Sequence, residues 1–309
     1  MIEKVSTRKP FEKSKRKMEQ INTRINRFKH FTEIIVYNEI FDVWSGEKDY
    51  FYVDTDTGEK LSASKRKELL DKIEIDEYAK MGIKLEIDYE SEYNRSEHES
   101  ERRAKDNFYG YALCNDWLYF CTFTIAKNDF ESDDESTKKY WKMFREKLQY
   151  KHPEIKILAV PERHYKGNIH FHALLGNANL DNLLSIAVNP NTQKPIKRKG
   201  RQVYNLGLWD KGFSTIVKID TADIENQMKT INYMIGYVAK DLSIGQYQKR
   251  YYRTKNLDFK STETKLTTPC ELNKLVRAVV DGKVKLHKEN DKCKIFRVYN
   301  NQKSGVGGQ

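Results

Sequence analysis

At 309 residues, with a formal charge of +11 and 33% charged against 38% hydrophobic residues, the chain can bury one sizeable core but must leave part of itself as a solvated appendage. The basic excess favours a polyanionic partner, because cations that neutralise phosphates gain from counterion release, and nineteen tyrosines with fourteen phenylalanines supply rings on which unpaired bases can stack. Cys114, Cys121, Cys270 and Cys293 have neither C-x-x-C nor zinc-finger spacing, no run approaches the roughly 20 apolar residues that cross a bilayer, and no apolar h-region follows the basic N-terminus, so a disulfide scaffold, a structural zinc and a membrane protein are all unsupported and a cytoplasmic protein is expected.

Residues 1–30 hold ten Lys or Arg against three Glu and read as a basic arm leading into a helix, open to nucleic acid or simply solvated. FTEIIVYNEIFDVWSG and DYFYVDTDTG are short β-rich runs broken at Gly58, and SASKRKELLDKIEIDEYAK has the pattern of an amphipathic helix with a capping serine. Residues 86–106, with eight acidic and four basic side chains, read as a solvated linker or exposed helix. FYGYALCNDW ends a helix. In the next strand, WLYFCTFTI, Phe120, Thr122 and Thr124 alternate with Cys121, Phe123 and Ile125. TKKYWKMFREKLQY is a helix stopped before Pro153, and IKILAVPE and NIHFHALLG form a hairpin about the Gly167 turn. KPIKRKGR, with five basic residues in eight, is a loop for phosphate contact; GFSTIVKID is a strand and TADIENQMKTINYMIGYVAKDL a helix, followed by a basic, tyrosine-rich tail. The order implies an α+β fold on an antiparallel sheet. Residues 96–260 are read as the principal domain, 1–95 as a charged N-terminal extension and 261–309 as a C-terminal extension.

Two of these segments carry chemistry. On a strand of period two, His170 and His172 project from one face while Ile169, Phe171 and Ala173 project from the other. Such a pair presents two imidazole nitrogens to a borderline divalent metal, although the same pattern also arises in histidines that merely pack. Glu162, eight residues earlier and across the turn, can reach the same face as a carboxylate ligand, with His164 as a rival; two histidines and a carboxylate would suit Mn²⁺ or Mg²⁺ and leave positions open for phosphate oxygen and water. In the later helix, Ile224, Met228, Ile231, Ile235, Val238 and Leu242 follow steps of four and three on one side, and Tyr233, Tyr237 and Lys240 centre on the other. A phenol needs help to ionise near neutral pH, and a lysine one turn on can stabilise the charge that develops; the stripe could equally be a packed or solvated surface. Gly236 beside it leaves space for close backbone approach.

FCTFT (120–124), HFHALL (170–175) and YMIGYVAKD (233–241), in that order and spacing, resemble the three motifs of the HUH endonucleases, specifically the rolling-circle replication initiators of bacterial plasmids and single-stranded DNA phages. The resemblance covers about residues 100–260, including the basic YYRTKN segment. It implies an RRM-like antiparallel sheet with the histidine pair on a central strand and the tyrosine helix packed across it. His170, His172 and Glu162 would bind the metal; Tyr237, which fits the family's Y-x-x-K with Lys240, would attack the scissile phosphate to give a 5′-phosphotyrosine and a free 3′-hydroxyl. Tyr233 would serve termination or strand transfer, although Gly236 stands where the first half of the repeat often has lysine. Lys194, Lys197, Arg198, Lys199, Arg201, Lys249, Arg250 and Arg253 are the candidate DNA contacts. The expected partner is single-stranded DNA at a replication origin in the cytoplasm of a bacterial host. The chain contains no G-x-x-x-x-G-K-[ST], so a separate host helicase would unwind and a host polymerase extend. A relaxase or transposase of the same superfamily is the nearest alternative, and a non-catalytic single-strand binder the alternative of another class.

Overall fold

The computed structural model describes residues 2–6, 17–45, 50–54, 89–126, 134–163, 169–238, 250–281 and 283–300, with positions 57, 65, 68, 72 and 80 besides. The chain divides into two compact units, one of Met1–Ile25, Glu33–Glu97 and Thr262–Val298, the other of Asn26–Thr32, His98–Ser261 and Tyr299–Gln309.

In the first unit, β1 (Ile2–Ser6) pairs antiparallel with β4 (Tyr50–Asp54). β2 (Lys17–Arg27) is a strand where the basic arm was expected to enter a helix. The physical reason is its period of two: Ile21 and Thr23 are buried while Asn22 and Arg24 are not, and its β-branched residues suit a half-buried pleat. β3 (Phe31–Ser45) follows from the apolar run FTEIIVYNEIF. The helix read over SASKRKELLDKIEIDEYAK lies largely outside the described residues. The segments read as separate N- and C-terminal extensions meet in one five-stranded sheet, whose order is β14 (Ser261–Lys265), β2, β3, β16 (Cys293–Tyr299), β15 (Lys285–Glu289). Val36 of β3 and Phe296 of β16 share a small core with Val284, and Arg297 donates to Glu33 Oε2 at 3.1 and 3.2 Å in a buried pair.

The second unit is α+β around a seven-stranded antiparallel sheet, consistent with the RRM-like plan of the HUH endonucleases. Its elements are α1 (Tyr89–Ala112, which begins in the first unit), β5 (Tyr119–Ile125), α2 (Asp134–Lys151), β6 (Lys156–Arg163), β7 (Ile169–Gly176), β8 (Leu184–Ile186), β9 (Lys197–Arg198), β10 (Arg201–Gln202), β11 (Tyr204–Leu206), β12 (Gly212–Lys218), α3 (Ile224–Val238) and β13 (Tyr252–Arg253). The sheet order is β13-β6-β7-β5-β12-β11-β8, so the histidine strand β7 lies well inside the sheet.

Alternation along the strands builds two cores. Cys121, Phe123 and Ile125 of β5, Ile157 and Ala159 of β6, and Phe171, Ala173 and Leu175 of β7 face α2, whose Tyr140, Trp141, Phe144 and Leu148 recur at helical spacing. Trp141 stacks on Phe171 with centroids 4.3 Å apart and planes 4° from parallel. Leu158, Val160 and Leu174 face the other way, against Phe108 and Ala112 of α1 and Ile231, Met234 and Val238 of α3. Gly176 ends β7 because a Cβ there would lie 2.2 Å from the carbonyl oxygen of Asp116. A final helix, α4 (Pro269–Val280), belongs to the first unit and starts at a capping box: Thr268 accepts from the Glu271 N–H, and Glu271 accepts from the Thr268 N–H. Among the described residues, no helix is long and apolar enough to cross a membrane.

Candidate active site

Three neighbouring strands and one helix assemble the site. His170, His172 and Leu174 occupy the face of β7 opposite the α2 core, and register then sets their neighbours. Glu162 of β6 stands directly opposite His170; on the other side, β5 places Thr124 beside His170 and Thr122 beside His172. The carboxylate, both imidazoles and two hydroxyls therefore share one face. His172 is held at both nitrogens, its Nε2 lying 2.7 Å from Glu162 Oε2 and its Nδ1 3.2 Å from Thr122 Oγ1. With Glu162 ionised, this network assigns the proton to Nε2 and leaves Nδ1 to accept from Thr122. His170 Nδ1 lies 3.4 Å from Thr124 Oγ1.

α3 crosses this face. Asp223 caps it by accepting from the Asn226 N–H at 2.9 Å, and its buried residues are Gln227, Ile231, Met234, Tyr237 and Val238. The expected separation of a tyrosine face from the core face does not hold for Tyr237, which is 8% exposed against 54% for Tyr233. At about 100° per residue Tyr237 falls on the edge of the buried stripe, and the sheet beneath offers it an aromatic partner. Its ring stacks on His172 with centroids 4.3 Å apart and planes 14° from parallel. Tyr233 meets Tyr237 edge-on at 4.9 Å, and the Tyr237 hydroxyl donates to the Tyr233 hydroxyl. Phe120 lies near-parallel to His172 at 6.2 Å and edge-on to Tyr233 at 6.0 Å. Burial, then the Tyr233 hydroxyl contact, then the Glu162 carboxylate push the Tyr237 phenol well above its ordinary pKa, so the group is held protonated.

The donor set suits a divalent cation in kind, since two imidazoles and a carboxylate share one face. The side chains are not gathered into a cage: among the described residues, no three His, Cys, Asp or Glu form a group that could hold a metal ion. A cation here would replace the hydrogen bond that Glu162 and His172 now share. Gly236 is exposed and a Cβ there would meet nothing within 4 Å, so the close backbone approach expected beside the tyrosines is not made by this chain.

Tyr237, Tyr233, His172, His170 and Glu162 are thus brought together. Lys240, Lys249 and His164 lie outside the described residues. The basic run is a small hairpin rather than a loop: β9 pairs with β10, and Lys199 and Gly200 at its tip both take positive φ, as a tight two-residue hairpin turn requires. Lys194, Lys197, Arg198, Lys199 and Arg201 are all exposed on or beside it. Arg250 is half-buried, and Arg253 lies over the Tyr111 ring at 4.4 Å, away from the histidines. The partners of the two imidazoles, Thr122 and Thr124, were placed on one face by their alternation, but only the pairing of β5 with β7 gives them a role.

No curated protein and no solved structure matches the chain significantly. Residues 118–242, which contain every element of this site, match a sequence family described as Replication-associated protein, of the ORF2 type, and the match supports a replication-associated protein of the Rep type.

Proposed function

We propose that the protein is a rolling-circle replication initiator: a metal-dependent, site-specific single-strand DNA nicking and joining enzyme with Tyr237 as nucleophile. The reading is carried by the stack of Tyr237 on His172, itself bonded to Glu162, inside the segment that matches replication-associated proteins. Mn²⁺ or Mg²⁺ held by His170, His172 and Glu162 would supply Lewis acidity to the scissile phosphate. Tyr237 Oη attacks phosphorus in line, the bond from phosphorus to the 3′ oxygen breaks, and the 5′ phosphate stays on the tyrosine. The proton lost by the phenol is matched by the one the 3′ oxygen gains, so no nucleotide energy is consumed and the joining step is the reverse. Tyr233, whose hydroxyl accepts from Tyr237, takes that proton and serves as the second tyrosine for strand transfer. Lys240 stabilises the charge that develops. The free 3′ end primes a host polymerase behind a separate helicase in the bacterial cytoplasm. A relaxase or transposase would use the same chemistry on a different DNA site.

A second reading has its own observation. A buried, protonated Tyr237 and donors not gathered into a cage suit a non-catalytic single-strand binder whose histidines only pack. End-labelled oligonucleotides tiling the parent replicon decide between them. Cleavage with Mn²⁺ that is lost in EDTA, and lost in a folded His170→Ala/His172→Ala variant, supports the nuclease; binding without cleavage under every metal supports the binder.

A further inference from the structure

β12 continues the catalytic face beyond the histidines. Ser214 and Ile216 are buried toward α2, so Phe213, Thr215 and Val217 point to the face that carries His170 and His172. Register puts Phe213 opposite Thr124, which stands opposite His170, which stands opposite Glu162. One row across four strands therefore reads Glu162, His170, Thr124, Phe213, with Phe213 two strands, roughly 10 Å, from His170. Phe213 is 71% exposed, although it sits on an interior strand where a phenylalanine would ordinarily be covered. α3 lies over β6 and β7 and stops short of it. Gly212 brings Phe213 to this place: with φ at 139°, it lies so close to β5 that a Cβ would be 2.3 Å from the Thr124 carbonyl oxygen. The β9–β10 hairpin, with Lys197, Arg198, Lys199 and Arg201 exposed, packs beside β12.

We infer that Phe213 is a stacking platform for an unpaired base one or two nucleotides from the scissile phosphate, with the basic hairpin taking the adjoining phosphates. An exposed ring in line with the histidines and flanked by cations fits a single-stranded polynucleotide better than an apolar protein surface. The inference rests on the proposed nuclease reading, and its test is arranged to fail separately from it.

The probes are a twelve-nucleotide oligothymidylate and an abasic strand of equal length and charge, with binding measured by fluorescence anisotropy in EDTA so that no cleavage is needed. The wild type should prefer the thymidylate by about tenfold or more. Phe213→Ala should cut that preference at least about fivefold while leaving the abasic affinity within about twofold, and Phe213→Tyr should retain it. An unchanged preference in a folded Phe213→Ala variant overturns the inference and leaves the nuclease reading standing. A wild type that binds neither strand overturns both. A wild-type dimer that Phe213→Ala converts to monomer, with the preference unchanged, gives this face to a second copy of the chain and also overturns it.

Discussion

Replacing Tyr237 separates packing from chemistry. Its ring is 8% exposed and stacks on His172 at 4.3 Å, while its hydroxyl donates to Tyr233. Tyr237→Phe keeps both ring contacts and removes one hydroxyl, whose partner Tyr233 is 54% exposed and can turn to water. The net loss is therefore about 0.5–1 kcal/mol, the low end for an intramolecular hydrogen bond. Tyr237→Ala removes the ring, and large-to-small aromatic substitutions in a core cost about 3–5 kcal/mol. Because the residue sits at the edge of the buried stripe, where water can refill the space, a value near 3 kcal/mol is expected. Urea unfolding followed by tryptophan fluorescence measures both, since three of the four tryptophans, Trp117, Trp141 and Trp209, are buried in this unit. A loss below about 1 kcal/mol for Tyr237→Ala, or equal losses for the two variants, would refute the packing of this tyrosine on the histidine face.

Gly236→Ala should stabilise α3 by about 0.5–1 kcal/mol, because the position is exposed and the added methyl meets nothing; a drop in the urea midpoint would contradict this. Hydrogen bonds from the Thr268 N–H and from Lys265 and Thr268 hold the Glu271 carboxyl down from an ordinary 4.5 to about 2. A depressed folded pKa makes the cap's contribution complete above the ordinary value and lost as pH falls from about 4.5 toward 2. An NMR titration of the Glu271 side chain with a midpoint near 4.5 would contradict that cap. Replacing Lys194, Lys197, Arg198, Lys199 and Arg201 with alanine should flatten the log–log salt dependence of single-strand binding by about 0.7 per phosphate contact removed; an unchanged slope takes the hairpin out of the footprint.

Where the structure depends on local alternation, the sequence was readable. Ile169 to Leu175 showed its two faces residue by residue, the Gly167 turn joined it to the Glu162 strand, and the apolar steps from Ile224 to Val238 marked α3. Tyr237 was harder because its angle on the helix falls at the margin between stripe and solvent, and the sheet below decides which side it joins. The roles of Thr122, Thr124 and Phe213 depend on β5 lying between β7 and β12, a pairing of strands far apart in the chain that periodicity does not encode. The same non-local pairing hid the five-stranded sheet of the first unit, in which β3 lies beside β16 from the far end of the chain. In the arm, basic residues masked a period of two, and Ile21 and Thr23 were the signal that could have shown the strand.

The most direct test of the central claim is to incubate the protein with Mn²⁺ and single-stranded oligonucleotides from its own replicon, isolate denaturant-resistant adducts, and map the modified residue by peptide mass spectrometry. The account predicts a 5′-phosphonucleotide on Tyr237 and no adduct from a folded Tyr237→Phe variant. An adduct confined to Tyr233 would reverse the roles of the two tyrosines, and cleavage without any adduct would contradict the covalent mechanism.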